Sequence, residues 1–220
     1  MPWSYSTDAQ TFLHQRKETL SADESLYCLT WAAITRSMAD EPGTVSHRFL
    51  TFLDGYTITA HAIIQAHGRH LILSPMSSSQ AQSLADTLAA DGVQINITEG
   101  PKDPTLCFVR RWRLTTGSEH KLIMDQGLHE LKVVNMPVLS GGRLVQATPE
   151  HRAVLLELMH GFASSISEDT VNLEGLERRA DRALNRGHTY LWRDRDNIFV
   201  SMAAIERESP STASISWVYT

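Results

Sequence analysis

The strongest constraint on the fold of this chain is an order of predicted elements that occurs twice. Apolar periodicity predicts helix, helix, strand, strand, strand over residues 8–74, and the same order again over residues 149–220. The first half then continues with a helix, a strand, a helix and a β-rich run, whereas the second half stops after its third strand. The sequence therefore predicts an internal structural repeat, which rests on element order rather than on residue identity.

In the first half, residues 8–20 predict a short helix, and residues 23–40 predict a longer one with an acidic first turn at Asp23 and Glu24. Residues 47–74 predict three strands separated by turns at Asp54–Gly55 and His67–Gly68.

The first half then continues as far as a predicted linker. The segment SSSQAQSLADTLAADG predicts a helix, residues 93–97 a strand, and residues 103–117 a helix that ends at Gly117. Residues 120–134 predict a long β-rich run with a bend at Gly127. The three serines are expected to cap the helix, and anion binding there is the less favoured alternative.

The segment NMPVLSGG, residues 136–142 together with Asn135, is rich in Pro, Ser and Gly and predicts a linker. The predicted domains are therefore residues 1–135 and 143–220, joined by residues 136–142. Thr148–Pro149–Glu150 predicts a helix start in the second domain, and Asp169–Thr170 predicts the cap of the next helix.

Composition excludes several classes of function. The net charge is −5 and Lys and Arg are scattered, which argues against a nucleic-acid partner. No apolar run approaches the roughly 20 residues that a membrane helix needs, and the N-terminus does not resemble a signal peptide. Cys28 and Cys107 are expected to be reduced thiols, which predicts a cytoplasmic protein.

Metal, serine-hydrolase and nucleotide chemistries are poorly supported. His61, His67 and His70 lie in one predicted hairpin but have no nearby Cys and no H-E-x-x-H spacing, so no metal site is predicted. The G-x-S-x-G and Walker patterns are also absent from the sequence.

Several segments together carry a resemblance to a known family. They are GGRLVQATPEHRAVLLELMHGFA, RALNRGHTYLWRDRDNIFVSMAAI and ISWVYT, with EGPKDPTLCFVRRWRLTTG ahead of them. In this order they resemble GNAT-superfamily acetyltransferases that carry a degenerate GNAT-like domain ahead of the active one. The resemblance implies an α/β fold with a mixed sheet and flanking helices, in a tandem duplication whose second copy is incomplete.

The resemblance implies an enzyme that moves an acetyl group from acetyl-CoA to a small-molecule or peptide amine, without a metal. In the family, the strand ending in V-Y-T leads into a Gly-containing loop that holds the cofactor pyrophosphate. The sequence reaches Thr220 before that loop, so it is expected to be a fragment or a truncated product that binds acetyl-CoA weakly. The general acid is likewise expected beyond residue 220.

The resemblance places the pantetheine arm of acetyl-CoA on the backbone of Trp217, Val218 and Tyr219, whose side chains are expected to pack in the core. It places the acceptor amine beside Trp192, Met202 and Phe162, with core packing as the alternative for these three. Alternation predicts that Trp192 and Met202 share one sheet face with Tyr190, Val200 and Ala204.

Two further expectations concern the base and the partner. Glu206 is the candidate base, since SISWVYT contains no carboxylate, although an exposed structural charge is the alternative. The final strand is expected to form an exposed sheet edge through which the chain forms homo-oligomers.

The alternative function is a non-catalytic scaffold or small-molecule-binding domain that lacks the cofactor loop.

Overall fold

The computed structural model describes residues 3–41, 44, 46–65, 69–138, 140–166 and 172–220. The chain divides into two compact units, residues 1–128 (unit 1) and residues 129–220 (unit 2). The predicted turn at His67–Gly68, the predicted cap at Asp169–Thr170 and residue Leu139 of the predicted linker lie outside the described residues. Within the described residues, no helix has the length and apolar character that crossing a membrane requires.

Unit 1 is built on a five-stranded sheet with the strand order β1-β2-β3-β4-β5. Neighbouring strands are antiparallel except for β4 and β5, which are parallel. Its elements are β1 (Trp3–Ser6), α1 (Ala9–Ala22), α2 (Cys28–Met38), β2 (His47–Asp54), β3 (Thr57–Gln65), β4 (His70–Leu73), α3 (Ser78–Ala90), β5 (Ile97–Glu99) and α4 (Lys102–Thr116).

Helices cover both faces of this sheet. Phe49 and Ile63 belong to a buried cluster with Phe12 of α1 and Ile34 of α2. On the other face, the buried cluster of α3 and α4 includes Leu71, which is fully buried. Unit 1 is therefore a three-layer sandwich whose central strands are apolar on both sides.

Unit 2 is built on a four-stranded antiparallel sheet with the strand order β6-β7-β8-β9. A 3₁₀ turn at Pro149–His151 follows Thr148 and runs into the first helix, as the sequence predicts. The elements are β6 (Gly142–Gln146), α5 (Arg152–Ile166), α6 (Leu173–Arg186), β7 (Thr189–Asp194), β8 (Phe199–Glu208) and β9 (Ala213–Tyr219).

The predicted repeat is present in the structure. The order β1-α1-α2-β2-β3-β4 matches β6-α5-α6-β7-β8-β9, and both sets of strands pair in the same sequence of neighbours. The buried row Phe49–Ile63–Ile72 of unit 1 corresponds to the row Leu191–Met202–Tyr219 of unit 2. The predicted α/β class with a tandem duplication is confirmed, and the described part of unit 2 contains no counterpart of α3, β5 or α4.

The two units differ in what covers the second face of the sheet. Leu71 precedes Ile72 and is fully buried beneath α3 and α4, but its counterpart Val218 is 61% exposed. The row Leu191–Met202–Tyr219 faces α5 and α6 in a buried cluster that includes Leu155. Unit 2 is therefore a two-layer arrangement with one sheet face that no described helix of the unit covers.

Two predicted elements begin elsewhere in the structure, and one observed strand was not predicted. The helix predicted from residue 23 begins at Cys28, because the Asp23 carboxylate accepts a hydrogen bond from the Leu26 amide, at 3.0 Å, in a preceding turn. The strand predicted at 93–97 lies at Ile97–Glu99, since Val93 packs against the α3–α4 cluster instead. The first strand, β1, was not predicted, because it has only four residues.

The β-rich run predicted at residues 120–134 is wrong as a secondary-structure assignment, because these residues form no strand. The chain returns along α4 instead, as two exposed ion pairs indicate: Arg113 with Glu119 at 3.0 Å near the end of α4, and Lys102 with Asp125 at 2.7 Å at its start. Strand propensity alone does not make a strand, since each one also needs a hydrogen-bonding neighbour.

Candidate functional site

The most distinctive backbone feature of unit 2 is a β-bulge near the end of β9. Tyr219 pairs with Met202 and Ser216 pairs with Ala204, so Trp217 and Val218 together face the single residue Ala203. Trp217 has a φ of 56°, in the left-handed region. Bulky side chains rarely adopt this conformation, and it persists only where the surroundings enforce it.

A bulge has a direct consequence for backbone hydrogen bonding. The extra residue is not paired with the neighbouring strand, and the bulged strand bends away from it locally. β9 is also an edge strand of its sheet, so its outer N–H and C=O groups have no strand partner among the described residues. The end of β9 thus offers backbone donors and acceptors in a fixed, strained geometry.

Two helices hold the Trp217 ring. Phe162, near the end of α5, packs against it with ring centroids 5.0 Å apart at an interplanar angle of 50°. The guanidinium carbon of Arg179, on the exposed side of α6, lies 5.8 Å from the ring centroid, within the range of a cation–π contact. The left-handed conformation of Trp217 is therefore supported by contacts from both helices of the unit.

Tyr219 is fixed by a different contact with α5. A Cβ atom at Gly161 would lie 2.5 Å from the phenol oxygen of Tyr219, so any larger residue at this helix position would require the ring to shift. A glycine inside a helix costs about 1 kcal/mol relative to alanine. The close approach of the Tyr219 ring accounts for its presence at position 161.

The structure brings some of the predicted site residues together and separates others. Phe162, Trp217 and Tyr219 lie on the face of the sheet that α5 and α6 cover. Met202 lies on the same face but is only 3% exposed, as a member of the core. It corresponds to Ile63 of unit 1, so the core-packing alternative describes its environment.

The prediction that Trp192 and Met202 share a sheet face is wrong. Trp192 pairs with Ser201 and Tyr190 pairs with Ala203, whereas Met202 pairs with Leu191. Residues that pair directly across strands point to the same face, so Trp192 and Tyr190 point away from Met202. Ala204, which pairs with Thr189, does share the face of Met202.

The candidate base Glu206 lies at a second irregularity of the sheet. Ile205 pairs with Ile215 and Arg207 pairs with Ser214, so Glu206 is the extra residue of a bulge in β8. Ala204, which pairs with Ser216, is two residues away, or about 7 Å along the strand. Glu206 thus lies further along β8 than Ala203, the residue that faces the Trp217 bulge, and its role as a base remains a prediction.

Two residues of the site were not predicted. Arg179 belongs to the charged face of α6, where a cation over an aromatic ring cannot be recognised without the fold. Gly161 did carry a signal, since a glycine inside a strongly apolar helical pattern is unusual and marks a close approach.

Unit 1 contains a buried polar cluster beneath its sheet. His61 is 1% exposed, its Nε2 lies 3.1 Å from the Thr30 hydroxyl, and its Nδ1 has no hydrogen-bond partner within the described residues. Arg16, itself buried, donates to the Ile58 carbonyl at 2.8 Å. Burial, together with the nearby Arg16 charge, lowers the pKa of His61 to about 3. The histidine is thus neutral at physiological pH.

A metal site, and an anion site at the three serines, find no support in the parts of the chain that the structure covers. No group of three His, Cys, Asp or Glu residues there could hold a metal ion. Ser77 caps α3: its hydroxyl accepts from the Gln80 amide at 3.2 Å, and the Gln80 side chain accepts from the Ser77 amide at 2.8 Å. The capping interpretation is confirmed for Ser77, the first of the three serines.

Unit 1 also has an open cleft of about 630 Å³ between β1 and the end of α3. The Tyr5 phenol donates to the Asp91 carboxylate at 2.5 Å, and Arg48 lines the same cleft. Burial and this hydrogen bond raise the pKa of Tyr5 above its usual range. The cleft thus presents one guanidinium and one carboxylate to a ligand.

No protein-family model matches the chain, and no curated protein sequence is significantly similar to it. Among solved structures, an acetyltransferase from the GNAT family of Colwellia psychrerythraea is similar over 98% of this chain and 76% of its own. The TM-score is 0.43 and the sequence identity is 9%. Similarity at this level does not establish the activity of the chain.

Proposed function

We propose that the chain is an N-acetyltransferase that moves an acetyl group from acetyl-CoA to a small-molecule or peptide amine, with its site at the end of β9. The observation that carries the proposal is the bulge at Trp217, where a strained backbone is held by Phe162 and Arg179. The resemblance of the sequence to GNAT acetyltransferases supports the same assignment. Cys28 and Cys107, both half-buried, are not joined in a disulfide, which fits the reducing conditions of a cytoplasmic enzyme.

The residues present fit part of the cofactor. Pantetheine is an extended chain with two amide groups, and such a chain can pair with the free edge of a strand as an added strand does. The backbone of Trp217, Val218 and Tyr219 would hold it there. No residue of the sequence is assigned to the phosphate groups, so the proposed contacts are those of the pantetheine arm.

When bound, acetyl-CoA supplies a thioester whose carbonyl carbon is open to attack by a neutral amine. A backbone N–H freed by the bulge would donate to the carbonyl oxygen as negative charge develops on it. Phe162 and the Trp217 ring exclude water from one side of the strand. Glu206 would take the proton from the amine through bridging water as the new C–N bond forms. The carbon–sulfur bond would then break, and the pantetheine thiolate would leave and take a proton from water.

Two substitutions at position 217 test the bulge directly, because both remove the indole ring. Trp217→Gly keeps the left-handed conformation accessible, whereas Trp217→Val disfavours it, since β-branched residues avoid positive φ. Acyl transfer is followed as thiol release from S-acetylpantetheine and from acetyl-CoA in the presence of an amine panel. We expect release with the unaltered chain, most of it retained in Trp217→Gly, and loss of at least about tenfold in Trp217→Val, as for a lost oxyanion donor.

The two donors also test which part of the cofactor is bound. Because only the pantetheine arm has assigned contacts, kcat/KM for S-acetylpantetheine should be within a few-fold of that for acetyl-CoA. Thiol release no faster than the uncatalysed reaction with either donor, or equal activity of the Gly and Val variants, would overturn the proposal.

The alternative function is small-molecule binding without catalysis, and the cleft of unit 1 is the observation that favours it. Arg48 can bind a carboxylate and Asp91 an ammonium group, so a zwitterion such as a free amino acid matches the charges of the cleft. Calorimetric titration with a set of amino acids tests this, with Arg48→Gln as the variant. Saturable binding that Arg48→Gln abolishes, without any thiol release, would favour the alternative.

A further inference from the structure

The first helix of unit 1 buries a charged residue in the stripe that faces the sheet. The buried residues of α1 are Ala9, Phe12, Arg16 and Leu20. Arg16 is 6% exposed, although it occupies a position that the spacing of the stripe assigns to an apolar side chain. The buried residues of α5, the equivalent helix of unit 2, are Leu155, Leu158 and Met159. The buried arginine is therefore a feature of unit 1 that the repeated fold does not require.

One edge of the Arg16 guanidinium has no partner. Nη1 donates to the Ile58 carbonyl at 2.8 Å, whereas Nε is buried without a hydrogen-bond partner, and Nη2 makes no hydrogen bond to a described residue. Nε and Nη2 together form a planar fork that matches the two oxygens of a carboxylate. Arg152 of unit 2 shows this fork in use, since its Nε and Nη2 donate to the Asp181 carboxylate at 2.7 and 3.2 Å.

No carboxylate of the described residues pairs with Arg16. Burial lowers the pKa of Arg16, and the influence that opposes this comes from the Tyr27 phenol. Burial raises the pKa of Tyr27 in turn, so the phenol is uncharged at neutral pH. The Asp23 carboxylate, whose charge reaches Tyr27, accepts from the Leu26 amide at 3.0 Å instead. An unpaired buried charge is destabilising, so the surroundings of Arg16 favour an anion.

A second buried donor belongs to the same cluster. The Arg16 charge contributes to the lowered pKa of His61, which indicates that the two side chains lie near each other. Nε2 of His61 is the acceptor that the Thr30 hydroxyl contacts within the described residues, at 3.1 Å, so Thr30 donates and the proton of the neutral ring lies on Nδ1. Nδ1 has no partner either, so the unpaired groups of Arg16 and His61 are all donors.

We propose that unit 1 binds a short-chain carboxylate between α1, α2 and β3, on the unpaired fork of Arg16. The two oxygens accept from Nε and Nη2 of Arg16, and Nδ1 of His61 donates to one of them. The rings of Phe12 and Tyr27 lie 5.5 and 5.6 Å from the His61 ring, so the short apolar body of the ligand meets aromatic side chains. The inference goes beyond the proposed acetyl transfer, because it concerns unit 1 and uses no part of β9.

The chemistry of the cluster decides which ligand it takes. A set of donors repels a metal ion or an ammonium group, since neither can accept a hydrogen bond. A carboxylate is preferred over chloride because its two oxygens match the two parallel N–H groups of the fork. The cleft beside Tyr5 differs, since Asp91 and Arg48 there present both charges.

Thermal melts with sodium acetate and sodium butyrate test the binding without any acetyl donor. At about 100 times the dissociation constant, either carboxylate should raise the melting temperature of the chain by about 5–10 °C. Sodium chloride at the same ionic strength and the neutral acetamide are the matched ligands, and both should give a much smaller shift. Equal shifts with acetate and chloride, or no shift with either carboxylate, would overturn the inference.

Three arginine variants locate the site. Arg16→Met removes the charge at similar length and should abolish the carboxylate-dependent shift. Arg16→Lys keeps the charge without the fork, so it should weaken carboxylate binding by at least about tenfold. Arg36→Met is the matched control, since Arg36 is an exposed arginine in the last turn of α2, and it should leave the binding intact.

Nuclear magnetic resonance of the unaltered ¹⁵N-labelled chain gives a readout that does not depend on the folding of a variant. Titration with acetate should shift the Nε–H resonance of Arg16 and the ring resonances of His61 in a saturable way. Saturable shifts at both side chains together with loss of binding in Arg16→Met would support the site. Unchanged Arg16 and His61 resonances, or binding that Arg48→Gln abolishes and Arg16→Met does not, would overturn it.

Discussion

Gly161 of α5 leaves the space that the phenol of Tyr219 occupies at the end of β9, because a Cβ at position 161 would lie 2.5 Å from the phenol oxygen. The contact joins the helix that carries Phe162 to the strand that carries the Trp217 bulge. It therefore sets how closely α5 packs on the proposed site.

The first prediction concerns this contact. Gly161→Ala should destabilise unit 2, because overpacking costs about 1–3 kcal/mol and the helix-forming gain from alanine returns only about 1 kcal/mol of that. Denaturant unfolding followed by circular dichroism measures the change. Tyr219→Ile restores the residue type found at the equivalent position, Ile72, and should rescue Gly161→Ala. A Gly161→Ala chain as stable as the unaltered chain would mean that Tyr219 does not pack on α5.

The second prediction separates the two faces of β8. Met202 is 3% exposed in the core, so Met202→Arg should lower stability by at least about 3 kcal/mol, the cost of an unpaired buried charge. Ala203→Arg is the matched control on the opposite, more accessible face and should cost much less. Thermal melts of the two variants measure the difference in stability. A similar loss of stability in both would contradict the assignment of Met202 and Ala203 to opposite faces.

The sequence predicts much of this fold and less of the site. The apolar stripes of the sequence predict α3, α4 and α5, because burial against a sheet fixes the spacing of Leu and Ala along a helix. Alternation predicts one face for Trp192 and Met202, which is wrong because alternation holds within a strand but does not reveal the register between strands. The bulges at Trp217 and Glu206 shift the register between β8 and β9 as well, and no local pattern marks them.

The third prediction concerns pH and stability. Because His61 has a folded pKa of about 3 and an unfolded value near 6.5, the unfolded chain binds the proton more readily. The contribution of neutral His61 to the free energy of unfolding is therefore fully present above pH 6.5. It is lost as the pH falls from 6.5 towards 3. The loss amounts to about 1.4 kcal/mol for each pH unit in that range.

Denaturant unfolding between pH 7 and pH 4 measures this slope. His61→Leu combined with Thr30→Val removes the proton-binding group and its polar partner together, and it should flatten the profile. His14→Gln, which removes an exposed histidine and leaves His61 in place, should not. A double variant with the same slope as the unaltered chain would show that His61 does not control acid stability.

The fourth prediction concerns the proton acceptor. Glu206→Gln should lower the rate of acyl transfer mainly at pH values below the pKa of the acceptor amine, where the amine cannot lose its proton unaided. The pH–rate profile with one amine, compared with that of the unaltered chain, is the measurement. Glu208→Gln, a change at an exposed residue on the same strand, is the control. An unchanged profile for Glu206→Gln would remove this residue from the mechanism.

The central claim is that the backbone at the end of β9 binds the pantetheine arm. Nuclear magnetic resonance of the ¹⁵N-labelled chain, titrated with S-acetylpantetheine, tests it at residue level. We predict saturable shifts of the Trp217, Val218 and Tyr219 amides and of the Phe162 ring, which Trp217→Val should abolish. Shifts confined to the cleft beside Tyr5 and Arg48, or no saturable shift in β9, would contradict the account.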